Sequence, residues 1–305
     1  MRSPITKLKQ SSIASRRVHL KKDRKFVLDS DIEAHYESGV EKDRLIKDTE
    51  RVEFHRTKQI ISRYLPKKPA TILDIGAGPG VYTSWLAEMG HIVHLVDPTP
   101  LHVTQAKERM KETGISVASI SLGDARALEF PNEYADIVLM LGPLYHLTEK
   151  GQRRTALTEG LRVLKQDGLI FVAGISKFAS ALDGAKGGYI RDPDFMRIVQ
   201  RDLKEGQHRN PAKHPKYFTT AYFHHPTEIA EEVKEVGFRK VTVFAVEGFA
   251  WLLPDFEKLW TDNESRERLL TLIEATETEP SLIGVSAHLL CVGQKKQSHP
   301  RPEKL

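Results

Sequence analysis

The stretch TILDIGAGPG, residues 71–80, runs an apolar segment into an acid, Asp74, and then into Gly76, Gly78 and Gly80. A loop this bare of side chains lets backbone approach a ligand closely, and at the end of a strand it suits a nucleotide-like group. Asp97 ends a second apolar segment, HIVHLVD, 21 residues after Gly76. A carboxylate placed there can accept from both hydroxyls of a ribose, a two-point match to a cis-diol. Asp124, in LGDARAL, stands where it can accept from an adenine amino group. In the dinucleotide fingerprint the third glycine falls three residues after the second, but position 81 is Val. The glycines are misplaced for NAD, and an acid two residues before the first glycine is not part of that fingerprint.

These residues need elements to hold them at one edge. TILDI reads as a strand, VYTSWLAEM as a helix closed by Gly90, and HIVHLVD as a second strand. PLHVTQAKERMKET is a helix closed by Gly114; ISVASISL, DIVLML and GLIFVAGI are further strands, the last after the helical stretch TEKGQRRTALTEGLRVLKQ. A helix is expected over about 41–64, ended by Pro66. Continuous apolar strands separated by helices imply a parallel sheet covered on both faces. Residues 176–226 break the rhythm, being rich in Gly, Pro, His and charge without a clear period. Regularity returns with PTEIAEEVKEV, KVTVFAV, a helix near DNESRERLLTLIEAT and a last strand, VSAHLLCV. The expected fold is α/β: a doubly wound, Rossmann-like, mostly parallel seven-stranded sheet with an antiparallel edge strand and a lid insertion.

The chain has 305 residues, 40% hydrophobic and 29% charged, which is a soluble globular composition. No apolar run approaches the roughly 18 residues a membrane span needs. Cys291 is the single cysteine, which excludes an internal disulfide and a cysteine-rich metal cluster. The net charge of +5 is unevenly placed. Residues 1–25 carry nine Lys or Arg and one acid, so they hold +8 and the remainder −3. Residues 1–30 read as a basic disordered tail and 31–305 as one domain, with cytoplasmic residence expected and organelle transit by the tail as the alternative.

Taken in order, LDIGAGPG, HLVDPTP, GDARAL, DIVLMLGPLYHL and RVLKQDGLIFV resemble the class I S-adenosylmethionine-dependent methyltransferases, closely over about residues 40–175 and loosely over the final strands. The resemblance implies S-adenosylmethionine as cofactor. It implies that Asp74, Gly76, Ala77 and Gly78 face the cofactor's amino-acid end and ribose, and that Asp97, followed by Pro98, takes the ribose. Asp124 and Ala125 take the adenine, and Leu141 and Gly142 the methionine portion through backbone. In several branches an Arg on the helix before the first strand pairs with the cofactor carboxylate; Arg51 has that spacing, with Arg44 and Arg56 as competitors. Tyr36, in AHYESG, resembles a tyrosine that some members fold over the cofactor.

Methyl transfer from a sulfonium is an in-line displacement, so the protein supplies alignment and a dry pocket. An amine or hydroxyl acceptor also needs a base, and His146, in GPLYHL, sits beside the expected methyl position. Residues 176–226 are expected to form an acceptor-side lid hinged at Gly184, Gly187 and Gly188, with Tyr222 and His225 serving turnover. His208, His214, His224 and His225 lack the spacing and carboxylate of a metal triad, so no metal site is expected. The expected partner is a small-molecule acceptor methylated at oxygen or nitrogen. RNA is the alternative, since residues 201–225 carry +3 and the C-terminal LIEATETEPSLIGVSAHLLCV is similar to tRNA methyltransferases that esterify wobble carboxymethoxyuridine. A non-catalytic cofactor-binding protein is a second alternative. Oligomeric state is left open.

Overall fold

The structure, a computed structural model, describes residues 28–39, 41, 44–46, 49–214 and 216–296. The basic segment 1–25 therefore lies outside the described residues. In chain order the elements are α1 (Ser30–Glu37), α2 (Glu50–Ser62), β1 (Thr71–Ile75), α3 (Val81–Glu88), β2 (Ile92–Asp97), α4 (Pro100–Thr113), β3 (Ser119–Leu122) and β4 (Ala135–Met140). There follow α5 (Pro143–His146), α6 (Lys150–Val163), β5 (Leu164–Ser176), α7 (Ala179–Gly187), α8 (Pro193–Glu205), β6 (Gln207–His208) and β7 (Ala221–His224). The chain closes with α9 (Pro226–Glu235), β8 (Arg239–Ala245), α10 (Phe256–Thr261), α11 (Asn263–Thr276) and β9 (His288–Gln294).

Strands β3-β2-β1-β4-β5 are parallel neighbours, and β9 runs antiparallel along β5 from Leu169↔Gln294 to Ile175↔His288. β8 pairs antiparallel with β9. The seven expected strands are present; the antiparallel one, β9, lies inside the edge rather than at it, with β8 outermost. Alternate residues of β1 and β4 face opposite sides. Leu73, Ile75, Val138 and Met140 join Ala156, Leu157, Ile229 and Val233 of α6 and α9, while Ile72, Ile137 and Leu139 join Ile60, Ile61 and Leu86 of α2 and α3. Burial on both faces explains why the strands read as unbroken apolar runs. Each such side chain contributes about 1.5–3 kcal/mol. Cys291 lies in the first of these clusters, where burial pushes its thiol up to about 12 and leaves it inert.

The insertion is more regular than its composition suggested. Helix α8 begins where Asp192 accepts from the Asp194 N–H, has Pro193 in its first turn and stops at left-handed Gly206. Its buried stripe is Phe195, Ile198, Val199 and Asp202, a helical period that includes a charged member. Short strands β6 and β7 bring the sheet to nine strands. β7 pairs with the last two residues of β5, Ile175↔Phe223 and Ser176↔His224. One edge of β5 is taken by β9 as far as Ile175, so β7 uses the edge that β4 leaves after Met140. The insertion is thereby anchored over the carboxyl end of β4, against α5.

Candidate active site

The glycine loop, the ends of β2 and β4, and α1 enclose a cavity at the carboxyl edge of the sheet. Gly76 and Gly78 both have positive φ, +68° and +56°. A Cβ on Gly76 would meet the Pro143 ring at 2.7 Å, so glycine is what lets β1 and the loop after β4 close together. At Gly78 nothing lies within 4 Å of the same position, leaving bare backbone toward the cavity. Asp97 is buried, and its Oδ2 accepts from the Gly78 N–H at 2.8 Å. Its Oδ1 accepts from the Thr99 N–H at 2.9 Å and lies 3.0 Å from His102 Nδ1. One carboxylate thus ties the glycine loop to the start of α4 while lining the cavity. Asp74 accepts from the Thr83 hydroxyl at 2.6 Å, and burial raises its carboxyl to about 7. Asp124 holds Arg126 in a fork at 2.8 and 2.7 Å and lines the cavity with Ala125. Ala77, Pro98, Leu141 and Gly142 line it too.

Tyr36, from α1, reaches the same cavity and hydrogen-bonds His146 Nε2. Burial drives the tyrosine well above its ordinary value and lowers His146 to about 3. The phenol therefore donates and the neutral imidazole accepts. With Nε2 occupied, His146 is a latch for α1 in this structure rather than the free base its position implied.

Other expected residues stand elsewhere. Arg51 is paired with Glu257 on the far side of α2, near the rings of Phe256 and Trp260, and does not line the cavity. Arg56 is buried against Glu277. Of these three arginines the one that lines it is Arg44, from the turn before α2, which grips Glu53 and lies 3.0 Å from Glu41. Helical phase explains the error: spacing along α2 counted residues but not which face meets the sheet. Tyr222 is bonded to Glu228 and lies under the Arg153 guanidinium, 3.7 Å from its carbon to the ring centroid. His225 caps α9 by accepting from the Thr227 N–H. Neither lines this cavity or the one adjoining it. In a β-strand alternate residues face apart, and β7 turns Phe223, not its neighbour Tyr222, toward the ligand side.

A second cavity, of about 330 Å³, adjoins the first and shares with it Tyr36, Arg44, Glu53, Tyr145 and His288. The insertion supplies most of its far wall, including Ala179, Asp183, Phe195, Tyr217 and Phe218. Where the cavities meet, Glu53, Glu247 and His288 present atoms within 4.8 Å of one another, a group that could hold a metal ion. Its charge is already met by Arg44 on Glu53 and by His288, whose Nδ1 bonds Glu247. Despite its burial, Glu53 and Glu247 raise His288 to about 9. Ser286 donates to the other Glu247 oxygen at 2.7 Å. This cluster escaped sequence reasoning because Glu53 lies about 200 residues before Glu247 and His288. Glu247 did carry a signal shared with Asp74 and Asp97, an acid at the carboxyl end of an apolar strand.

Residues 72–168 match the family described as Methyltransferase domain. The ubiquinone/menaquinone biosynthesis C-methyltransferase UbiE of Neisseria meningitidis serogroup A is 31% identical over 147 residues, covering 47% of this chain and 58% of that protein. The ubiquinone biosynthesis O-methyltransferase of Azorhizobium caulinodans is 29% identical over 177 residues, 57% of this chain and 60% of that one. The chain thus spans less than two thirds of the length of these relatives. A S-adenosylmethionine-dependent methyltransferase structure from Methanosarcina mazei superposes with a TM-score of 0.54 at 17% identity, over 78% of this chain and 98% of its own. The [4+2]-cyclase SpnF superposes with a TM-score of 0.51 at 17% identity, over 80% and 82%. The same fold therefore carries more than one chemistry.

Proposed function

We propose a function from one premise: the chain belongs to the class I S-adenosylmethionine-dependent methyltransferase family. On our reading it transfers a methyl group to an oxygen or nitrogen of a small-molecule acceptor. The observation that carries this is the pair of joined cavities, one walled by the glycine loop and Asp97, the other by the aromatic side chains of the insertion. The first suits the cofactor by its bare Gly78 backbone and by three carboxylates in its lining, Asp74, Asp97 and Asp124, which on our reading would take the ammonium, ribose and adenine. Bound S-adenosylmethionine supplies an electrophilic methyl group on a sulfonium. The chain's own residues do the rest. Asp97 accepts from the ribose, Asp74 faces the ammonium, and Arg44 replaces Arg51 as the candidate partner of the cofactor carboxylate. Tyr36, latched to His146, closes α1 over the site and excludes water. The insertion, residues 176–226, orients the acceptor.

A walled second cavity suits a compact acceptor better than a polymer backbone, which favours a metabolite over RNA. Calorimetry tests the reading. The protein is expected to bind S-adenosylmethionine and S-adenosylhomocysteine and to ignore NAD. Tight NAD binding with no response to either sulfur nucleoside would overturn it. RNA affinity that is salt-sensitive and survives removal of residues 1–25 would favour the RNA acceptor instead.

A further inference from the structure

The second cavity contains an acid–base pair that the cofactor site does not use. His208, on β6, lines this cavity and is 2% exposed. Its Nδ1 lies 2.7 Å from Oδ2 of Asp202, which is fully buried near the end of α8. A carboxylate only accepts, so Nδ1 carries a proton, and in the neutral ring, the form a base starts from, Nε2 is the nitrogen with the lone pair. That Nε2 has no hydrogen-bond partner among the described residues. A buried acceptor left unpaired is costly, and one on a residue that lines a cavity is placed for a ligand to meet it. The imidazole is stacked on Phe223, with centroids 4.6 Å apart and planes 10° apart, which fixes the ring's plane. Ser180 Oγ, also buried and without a partner among the described residues, belongs to a residue lining the same cavity. Asp202 occupies the core-facing stripe of α8, where a leucine would pack without needing any partner.

We propose that His208 is the catalytic base that takes the acceptor's proton, with Asp202 its positioning residue, and that the acceptor is a hydroxylated aromatic ring seated among Phe195, Tyr217 and Phe218. The proposal rests on the methyl-transfer reading above. A carboxylate acceptor would need no base, and an aliphatic alcohol is too weak an acid for an imidazole to ionise; a phenol matches imidazole in strength, and a flat ring matches aromatic walls. The acceptor O–H gives its proton to Nε2 and the oxygen keeps the electron pair. That pair forms the new O–CH3 bond as the methyl–sulfur bond breaks and its electrons return to sulfur, which becomes a neutral thioether. The imidazolium, stabilised by Asp202, then releases its proton to water.

The test uses the full chain, S-adenosylhomocysteine and 4-nitrocatechol, a phenol whose ionised form absorbs visibly, buffered below the free probe's own pKa. The wild type is expected to bind the probe with appearance of the phenolate band. His208→Gln should lose the band. Asp202→Asn should lower kcat for an accepted catechol by roughly 100-fold or more, with little change in KM and with its acid limb displaced. Both variants should bind S-adenosylhomocysteine as the parent does, which also reports that they fold. Histidine-selective 15N NMR of the wild type needs no variant: the His208 Nε2 signal should show proton uptake when the probe binds. A wild type that binds S-adenosylhomocysteine but ionises no probe overturns the base and acceptor class while leaving the methyl-transfer reading intact. Variants that melt earlier yet keep the band and the pH profile overturn it too, since that is what a merely structural pair would do. Failure of the wild type to bind S-adenosylhomocysteine overturns the underlying reading and this proposal with it.

Discussion

Asp97 holds the glycine-loop cavity together at the level of single atoms, because its two oxygens serve two backbone N–H groups and a histidine while lining the space proposed for the ribose. Asp97→Ala is expected to weaken S-adenosylhomocysteine binding by about 1.5–3 kcal/mol, the range for hydrogen bonds to a charged group. Calorimetry on a variant with native circular dichroism checks this; undiminished affinity would remove the ribose assignment. Asp74 makes a separate prediction. With its carboxyl raised by burial to about 7, it is largely protonated below that pH and cannot attract an ammonium. Affinity for S-adenosylhomocysteine, which keeps the ammonium, should therefore fall as pH drops below 7, by up to about tenfold per pH unit. Asp74→Asn should flatten that dependence. An equally steep profile in the variant would assign it to another group.

Among the elements, α6 and α9 each carry a charge in the stripe that faces the sheet. Arg153 is 1% exposed and meets Glu232 through bonds of 2.6 and 2.9 Å, while also donating to the Leu147 and Thr148 carbonyls that follow α5. The pair fixes both helices to the loop beneath the active site. Arg153→Ala would leave Glu232 buried with its main partner gone, and about 3–5 kcal/mol of stability should be lost in urea denaturation. Tyr222→Phe removes only the bond to Glu228. It should cost about 1 kcal/mol and leave kcat unchanged, which separates the scaffold side of β7 from its ligand side. A large fall in kcat from Tyr222→Phe at parental stability would restore Tyr222 to the reaction.

For the molecule as a whole, four titrations of two signs shape stability against pH. His146, lowered by burial to about 3, contributes stability that is present above its ordinary 6.5 and lost as pH falls through about 3. Glu232 is held at about 2, below its ordinary 4.5, chiefly by Arg153 acting against burial; its contribution is present above 4.5 and lost as pH falls through 2. Asp74 and His288 are both raised, so their contributions are present below the ordinary values of 3.8 and 6.5 and lost as pH rises through about 7 and about 9. The ligand-free protein is thus expected to melt highest on the acid side of neutrality and progressively lower toward pH 9. Thermal melts of the parent and of His288→Gln check the alkaline limb, which should be shallower in the variant. Unchanged slopes would show that the junction of the two cavities, Glu53, Glu247 and His288, does not act as a charged unit.

Seven strands of the sheet, and the glycine loop at its carboxyl edge, were legible in the order of residues along the chain. Local periodicity names strands and helices, and the place of the glycine loop, Asp97 and Asp124 in the cavity lining is legible because it depends on position relative to a strand end, which lies within a few residues of each. Tertiary structure alone decided everything that depends on facing. Arg44 displaced Arg51 because one turn of chain before α2 points at the cavity and that face of α2 does not. Tyr222 and His225 turned away because β7 alternates and α9 needed a cap. The His208–Asp202 pair had one trace in the sequence, an acid on the apolar stripe of α8, but its meaning came only when β6 folded back beside that helix. Glu53, Glu247 and His288 had no common local pattern; they meet because β9 inserts beside β5, and long-range pairing of that kind leaves no period in the chain.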